Sequence, residues 1–101
     1  MLDTHAPKAH AYPAHGKRRR LLKLRYKVSD DRNQTSERIS VLRKKKTLKV
    51  FSRPLRTTGD AVAYWVVWRA PRKKGTYRFC VRATDGSGNH SAPACAAIKV
   101  R

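Results

Sequence analysis

The chain has 101 residues, the size of one small domain, and 40% of them are apolar, which is too many for an intrinsically disordered protein. Its 25 lysines and arginines outnumber 6 acidic residues. The resulting formal net charge of +19 favours polyanionic partners and says nothing about fold. Because no apolar run approaches the roughly 18 residues of a membrane span, we expect one domain without a transmembrane segment.

Residues 1–16 are rich in Ala, Pro and His, and they predict a linker with a short edge strand around His10–Pro13. This segment lacks the hydrophobic stretch of a signal peptide, so an exported protein would carry this chain as an excised module of something longer. Its His5, His10 and His15 recur every five residues, a spacing that alternates faces in an extended chain. We expect these histidines to be solvated side chains of a loose arm.

From residue 17 to residue 101 the apolar residues alternate with polar ones, which is typical of β-strands. In LLKLRYKVSDD, for example, Leu22, Leu24, Tyr26 and Val28 share one face and the basic residues share the other. The predicted strands cover about 8–13, 21–29, 37–43, 47–52, 61–69, 76–84 and 92–100. About seven short strands, polar turns and no amphipathic helix predict an all-β antiparallel sandwich or barrel.

The two cysteines, Cys80 and Cys95, flank the turn-rich stretch VRATDGSGNHSAPA. A hairpin that pairs them also pairs Thr84 with Ser91, and it leaves a loop of ordinary length at 86–89. Directly opposed residues of an antiparallel pair are close enough for a disulfide, which indicates a cross-strand bond on the outward face. Two free thiols in a cytosolic protein are the alternative.

Metal and catalytic motifs find little support in this sequence. An EF-hand loop beginning at Asp85 would need Gly and Glu where His90 and Ala96 stand. Cys80, His90 and Cys95 lack a fourth ligand and the spacing of a zinc site. No nucleophile elbow or metal triad is present, so we expect neither an enzyme nor a cofactor.

The C-terminal hairpin GTYRFCVRATDGSGNHSAPAC resembles the end of bacterial immunoglobulin-like modules, with their Gly-x-Tyr-x-Phe-x-Val-x-Ala-x-Asp-x-x-Gly-Asn pattern. LRYKVSDD, YWVVWRAP and DTHAPKA resemble other parts of the same family. The resemblance implies an immunoglobulin or fibronectin type III-like sandwich, in which Asp85, Gly88 and Asn89 form the turn. It also implies a spacer or adhesion role in a secreted or cell-surface protein, next to neighbouring domains. The cysteine pair departs from the family, because it joins adjacent strands rather than the two sheets.

The family topology implies that three basic turns converge at one end of the sandwich. We call them together the basic end: Lys17, Arg18, Arg19, Arg20; Arg43, Lys44, Lys45, Lys46; and Arg72, Lys73, Lys74. The same topology places every acidic residue at the opposite, acidic end: Asp3, Asp30, Asp31, Glu37, Asp60 and Asp85. A basic end of this kind predicts docking to a wall polymer, acidic glycan, anionic lipid headgroups or nucleic acid. A solvated end without a partner is the alternative.

At the acidic end, Asp3, Asp30, Asp31 and Asp85 are candidate calcium ligands, although Asp also stabilises turns without a metal. In the strand around YWVVW, Tyr64 and Trp68 are expected in the core, while Trp65 on the other face is a candidate surface contact.

Two functions fit the sequence. The first is an extracellular or cell-surface immunoglobulin-like module that acts as spacer or adhesion unit. The second is an intracellular basic β-domain that binds RNA or DNA, which would interleave exposed aromatic residues with its basic ones. The three basic turns contain no aromatic residue, which favours the first function.

Overall fold

The computed structural model describes residues 6–30, 34–58 and 62–101. Within these ranges lie eight strands: β1 (Lys8–Ala11), β2 (Ala14–Gly16), β3 (Leu21–Ser29), β4 (Gln34–Arg43), β5 (Lys46–Thr57), β6 (Tyr64–Arg69), β7 (Gly75–Asp85) and β8 (Ala94–Val100). Over the described ranges there is no helix long and apolar enough to cross a membrane.

The strands form the two layers of a β-sandwich, which confirms the predicted fold class. One sheet has the strand order β1-β3-β6, and the other has the order β2-β8-β7-β4-β5. All neighbouring strands are antiparallel except β2 and β8, which are parallel. Two layers follow from the sequence pattern, because each sheet must bury its one apolar face against another element.

The N-terminal segment contributes a strand to each sheet. Its first strand, β1, pairs with β3, and β2 then pairs with β8 in the opposite sheet. The two strands are separated at Tyr12–Pro13, where proline offers no N–H to continue a ladder. Since the chain keeps its direction while it crosses, β2 runs parallel to β8. The sandwich therefore begins at Lys8, where the first strand was predicted, whereas β2 was not predicted.

The core lies between the sheets and contains the residues that alternation assigned to inward faces. Its fully buried large side chains include Tyr26, Leu24, Phe79, Ile39 and Ile98. Burial of such a side chain stabilises a fold by roughly 1.5–3 kcal/mol, and alternation delivers one from every second residue of a strand. Trp68 is 7% exposed and belongs to this core, whereas Trp65 is 48% exposed, as predicted.

Strand β5 is longer than predicted, because it continues to Thr57 past Pro54. The predicted strand ended at residue 52, and a proline within a sheet is normally confined to edge strands or bulges. In the structure β5 is the edge of its sheet, and its register against β4 shifts between Thr35 and Glu37. The irregularity accommodates Pro54 there, and proline on an edge also discourages pairing with other chains.

The predicted hairpin register is correct at the cysteines and wrong at the tip. Cys80 is paired with Cys95 and disulfide-bonded to it, on the outward face of the sheet. Nearer the tip, however, Thr84 pairs with His90 rather than with Ser91. Ser91 is buried and its hydroxyl accepts a hydrogen bond from the backbone N–H of Ala83, so this side chain takes the place of a ladder partner and shifts the register by one residue.

Candidate anion-docking site

The turns at 17–20 and 70–74 are fastened together by backbone hydrogen bonds. The N–H of Arg19 donates to the carbonyl of Ala70 at 3.0 Å, and the N–H of Ala70 donates to the carbonyl of Arg20 at 2.9 Å. The N–H of Arg18 donates to the carbonyl of Arg101 at 2.9 Å, which ties the same turn to the end of β8. The backbone donors are thereby satisfied within the protein, and the exposed side chains of Arg18–Arg20 stay available for a ligand.

Three arginines from these two turns, Arg18, Arg19 and Arg72, line one cleft of about 380 Å³. A guanidinium is permanently charged and presents a planar fork of donors that suits phosphate, sulfate and carboxylate oxygens. Among the described residues the acids Asp30, Glu37 and Asp85 all lie away from these turns, at or near the opposite strand ends. The cleft is therefore strongly positive and fits an anion.

The turn at 43–46 is joined to the turn at 72–74 through Tyr77. An Nη of Arg43 donates to the Tyr77 hydroxyl at 2.7 Å, and that hydroxyl donates to the carbonyl of Lys73 at 2.6 Å. The guanidinium also lies 4.8 Å from the centre of the Tyr77 ring. Gly75 permits this approach, since a Cβ at its position, where φ is 144°, would lie 2.9 Å from an Arg43 nitrogen. Arg43 is thus half-buried and positions the turn.

The turn 43–46 presents Lys44, Lys45 and Lys46 as exposed side chains at the same end of the sandwich. Arg69 and Arg101 also lie there, and the sequence interpretation did not include them. The Arg69 guanidinium donates to the carbonyl of Arg19 at 2.8 Å. The sequence could have indicated both residues. Arg69 directly follows Trp68, the last buried residue of β6, and Arg101 directly follows Val100, the last buried residue of β8.

Two non-glycine residues of the described chain have a positive φ, Arg19 at 65° and Lys44 at 55°. Both belong to the basic end. For an L-residue with a side chain this left-handed conformation costs roughly 1–2 kcal/mol, and glycine or asparagine normally takes such positions. These turns therefore place a cation at two positions whose backbone conformation favours glycine or asparagine.

Replacing Lys44 with glycine is expected to stabilise the fold by up to about 1 kcal/mol, because the relief of strain exceeds the entropy that glycine adds to the unfolded chain. Lys45→Gly is the matched control, since it removes the same charge from the same two-residue loop at a residue without a positive φ. We expect it to destabilise the fold by about 0.5 kcal/mol. Urea unfolding midpoints measure both changes, and equal effects would contradict the strain at Lys44.

At the acidic end, Asp85 organises the β7–β8 turn together with Gly88 and Asn89. One of its carboxylate oxygens accepts hydrogen bonds from the N–H groups of Ser87 and Asn89, both at 2.9 Å. The other accepts from the Asn89 side-chain amide at 3.0 Å. Gly88 has a φ of 88°, which favours glycine.

The calcium hypothesis rests partly on Asp3 and Asp31, which lie outside the described residues, as does Asp60. Asp30 and Asp85 are both buried, and Asp30 accepts a hydrogen bond from the N–H of Gln34 at 3.4 Å. No group of three or more potential metal-ligating side chains is found among residues 6–30, 34–58 and 62–101. Calcium binding thus stays a prediction.

Glu37 lies near the acidic end, but it is buried within a strand rather than exposed there. It is the fourth residue of β4, faces inward and is 3% exposed. Its carboxylate accepts a hydrogen bond from an Nη of Arg56 at 2.6 Å and another from the Tyr26 hydroxyl at 3.3 Å. Burial, and then the neighbouring Glu37 charge, raise the pKa of Tyr26 to about 12, so the phenol keeps its proton and donates it.

The chain matches no protein-family model and no curated protein. Among solved structures it is similar to the fibronectin(III)-like modules of CbhA from Clostridium thermocellum, with a TM-score of 0.64 and 20% identity, over 95% of this chain and 47% of that one. The chain thus spans about half the length of that structure.

It is also similar to the superoxide reductase (neelaredoxin) from Ignicoccus hospitalis, with a TM-score of 0.61 and 12% identity, over 96% of this chain and 81% of that one. A CARDB domain from Pyrococcus furiosus, solved in complex with di-metal ions, has a TM-score of 0.56 and 12% identity, over 95% and 86% of the two chains. Likeness at such identities concerns fold alone. The chain has the fold of an immunoglobulin-like, fibronectin type III-like module, as the hairpin pattern predicted.

Proposed function

We propose that this chain is a non-catalytic immunoglobulin-like module of a secreted or cell-surface bacterial protein. It acts as a spacer or adhesion unit beside neighbouring domains, and it docks to an anionic polymer or surface through its basic end. The observation that carries the docking proposal is the cleft lined by Arg18, Arg19 and Arg72, which brings three arginines from two turns to one space. Fold alone does not supply this function, so it rests on the site.

Two further observations support docking. The backbone around the cleft is held by hydrogen bonds to Ala70 and Arg101, which directly follow β6 and β8, so little ordering of the main chain is needed when an anion binds. The left-handed Arg19 and Lys44 also retain cations at a cost in backbone energy, which is common at functional sites. The disulfide supports an oxidising compartment, because such bonds are rare in the cytosol.

The docking test compares two double variants that each remove two exposed arginines. Arg18→Gln with Arg72→Gln removes charge from the cleft, and Arg38→Gln with Arg82→Gln removes it from the outer face of the five-stranded sheet. We expect the first to weaken binding to long-chain polyphosphate about tenfold and the second to have a much smaller effect. In titrations at several salt concentrations, the slope of log K against log salt should be shallower for the first double variant than for wild type, because fewer phosphates are contacted.

The control distinguishes a docking site from diffuse attraction. The net charge of +19 attracts any polyanion, and both double variants lower it by two. Equal losses of affinity in the two variants would therefore show that binding follows total charge, and they would overturn the docking site at the cleft.

A further inference from the structure

We propose that the exposed face of the three-stranded sheet is a second binding surface and that its ligand is single-stranded nucleic acid, bound without sequence preference. We call it the outer sheet face. It consists of Lys8, His10 and Tyr12, then Leu21, Lys23, Arg25, Lys27 and Ser29 of β3, and finally Trp65, Val67 and Arg69 of β6. The alternation that buries the other residues of these strands brings this set together on one side.

One row across this face places an arginine between two aromatic rings. Arg25 is directly paired with Trp65 on one side. On its other side the N–H of Tyr12 donates to the carbonyl of Arg25 at 3.0 Å, which continues the β1–β3 register by one residue. Since neighbouring strands are about 4.8 Å apart, the backbones of the two aromatic residues lie about 10 Å from each other, with Arg25 between them.

The aromatic rings of this row are accompanied by cations. Trp65 is 48% exposed, and the Lys23 ammonium lies 4.9 Å from the centre of its ring. The Lys27 ammonium lies 6.0 Å from the centre of the Tyr12 ring, whose edge contact with His10 measures 4.6 Å between centroids. Of the two tryptophans of β6, Trp68 is the one that packs in the core. The indole of Trp65 is largely exposed, so the fold does not depend on it. An exposed aromatic and apolar patch ringed by charge marks a binding surface.

The charges of this face select a polyanion. Its described side chains include five cations and no aspartate, glutamate, asparagine or glutamine; the cations are Lys8, Lys23, Arg25, Lys27 and Arg69. Neutral sugars would find no carboxylate or amide to accept hydrogen bonds from their hydroxyls. The face also lacks the amides and carboxylates that read adenine and cytosine edges. Stacking on aromatic rings tolerates every base, so we expect it to bind without sequence preference as long as its cations contact phosphates.

A polyanion with flat rings satisfies both the cations and the aromatic residues. In single-stranded nucleic acid a base can stack on Trp65 and another on Tyr12, while Arg25 between them meets the phosphate. Lys23 has a flexible stem, so its ammonium can leave the indole for a second phosphate. A double helix keeps its bases stacked inside, and only its phosphates could then be contacted. The face therefore favours the single strand over the duplex.

The test measures the affinity of the disulfide-bonded protein for a short oligothymidylate and for a duplex, by fluorescence anisotropy. Trp65→Ala is expected to weaken single-strand binding about tenfold, in line with the stacking of one base. Trp65→Phe should retain most of the affinity. Leu55→Ala is the control, because Leu55 is an equally exposed apolar residue on β5 of the other sheet, and it should leave the affinity unchanged. Arg25→Gln should make the slope of log K against log salt shallower by about 0.7, the value for one phosphate contact to a single strand.

These outcomes separate the outer sheet face from the basic end. Arg18→Gln with Arg72→Gln should weaken single-strand and duplex binding by similar factors, whereas Trp65→Ala should affect the single strand alone. Single-strand binding that is unchanged in Trp65→Ala, or a duplex bound as tightly as the single strand, would overturn the proposal. Tighter, equally Trp65-dependent binding of polygalacturonate would also overturn it and assign the face to an acidic glycan.

Discussion

Replacing Arg56 with methionine is expected to destabilise the fold by about 3 kcal/mol at neutral pH. The guanidinium donates at 2.6 Å to Glu37, whose side chain lies inside the sandwich, so the substitution leaves a buried carboxylate without its cation. Breaking a buried ion pair in this way costs about 3–5 kcal/mol. We take the lower end because the Arg56 side chain is 31% exposed, and water can partly replace it.

The effect should depend on pH in a defined direction. Burial raises the pKa of Glu37, although hydrogen bonds from Arg56 and Tyr26 oppose the shift. A carboxyl whose pKa is raised by folding favours the fold when protonated, and that contribution is lost as the pH rises through the raised pKa. Without Arg56 the pKa of Glu37 rises further. The variant should therefore recover stability as the pH falls from 7.5 to 5, by an amount that wild type does not show.

Glu37→Gln with Arg56→Met is the control for this prediction. It removes both charges together, and replacement of a whole buried pair is often nearly neutral. Urea unfolding at pH 7.5 and pH 5 measures the three proteins. A loss of stability in Arg56→Met that is small, or that is the same at both pH values, would show that Glu37 does not depend on this guanidinium.

Much of the fold could be predicted because period-two patterns directly encode which face of a strand is buried. The bounds of β3 agree with the prediction at both ends, and the Cys80–Cys95 pairing follows from one hairpin register. The burial of Glu37 was not predicted, because a glutamate normally indicates a solvated position. Its burial depends on Arg56 and Tyr26, which lie on two other strands and in different sheets.

The candidate sites were predictable to different degrees for the same physical reason. The three basic turns are continuous runs of sequence, so each is visible as a motif. The row Tyr12, Arg25 and Trp65 combines the residue that follows β1 with one residue each of β3 and β6, so no single stretch of sequence contains it. The three basic turns contain no aromatic residue beside a basic one, whereas the sheet register places the two residue types side by side.

Removing the disulfide by Cys80→Ala with Cys95→Ala is expected to destabilise the domain by about 3 kcal/mol. The bond closes a loop with a sequence separation of 15, and a cross-link of that length restricts the unfolded chain by about that amount. For a domain of about this size the loss corresponds to a fall in Tm of about 15 °C. Total stabilities are only about 5–15 kcal/mol, so the loss is a large fraction.

Thermal melts of wild type, the double variant and reduced, alkylated wild type provide the measurement, with intact mass to verify the state of the cysteines. Arg78→Ala is the control, because Arg78 pairs with Ala97 on the same outward face without a covalent bond, and it should change stability by less than about 0.5 kcal/mol.

The affinity for polyphosphate, measured at a temperature where the oxidised and reduced forms are both folded, should not change. Cys80 is five residues along β7 from Gly75, about 17 Å from the basic end, so the bond stabilises the module without shaping the cleft. A reduced protein as stable as the oxidised one would remove the structural reason for placing this module in an oxidising compartment.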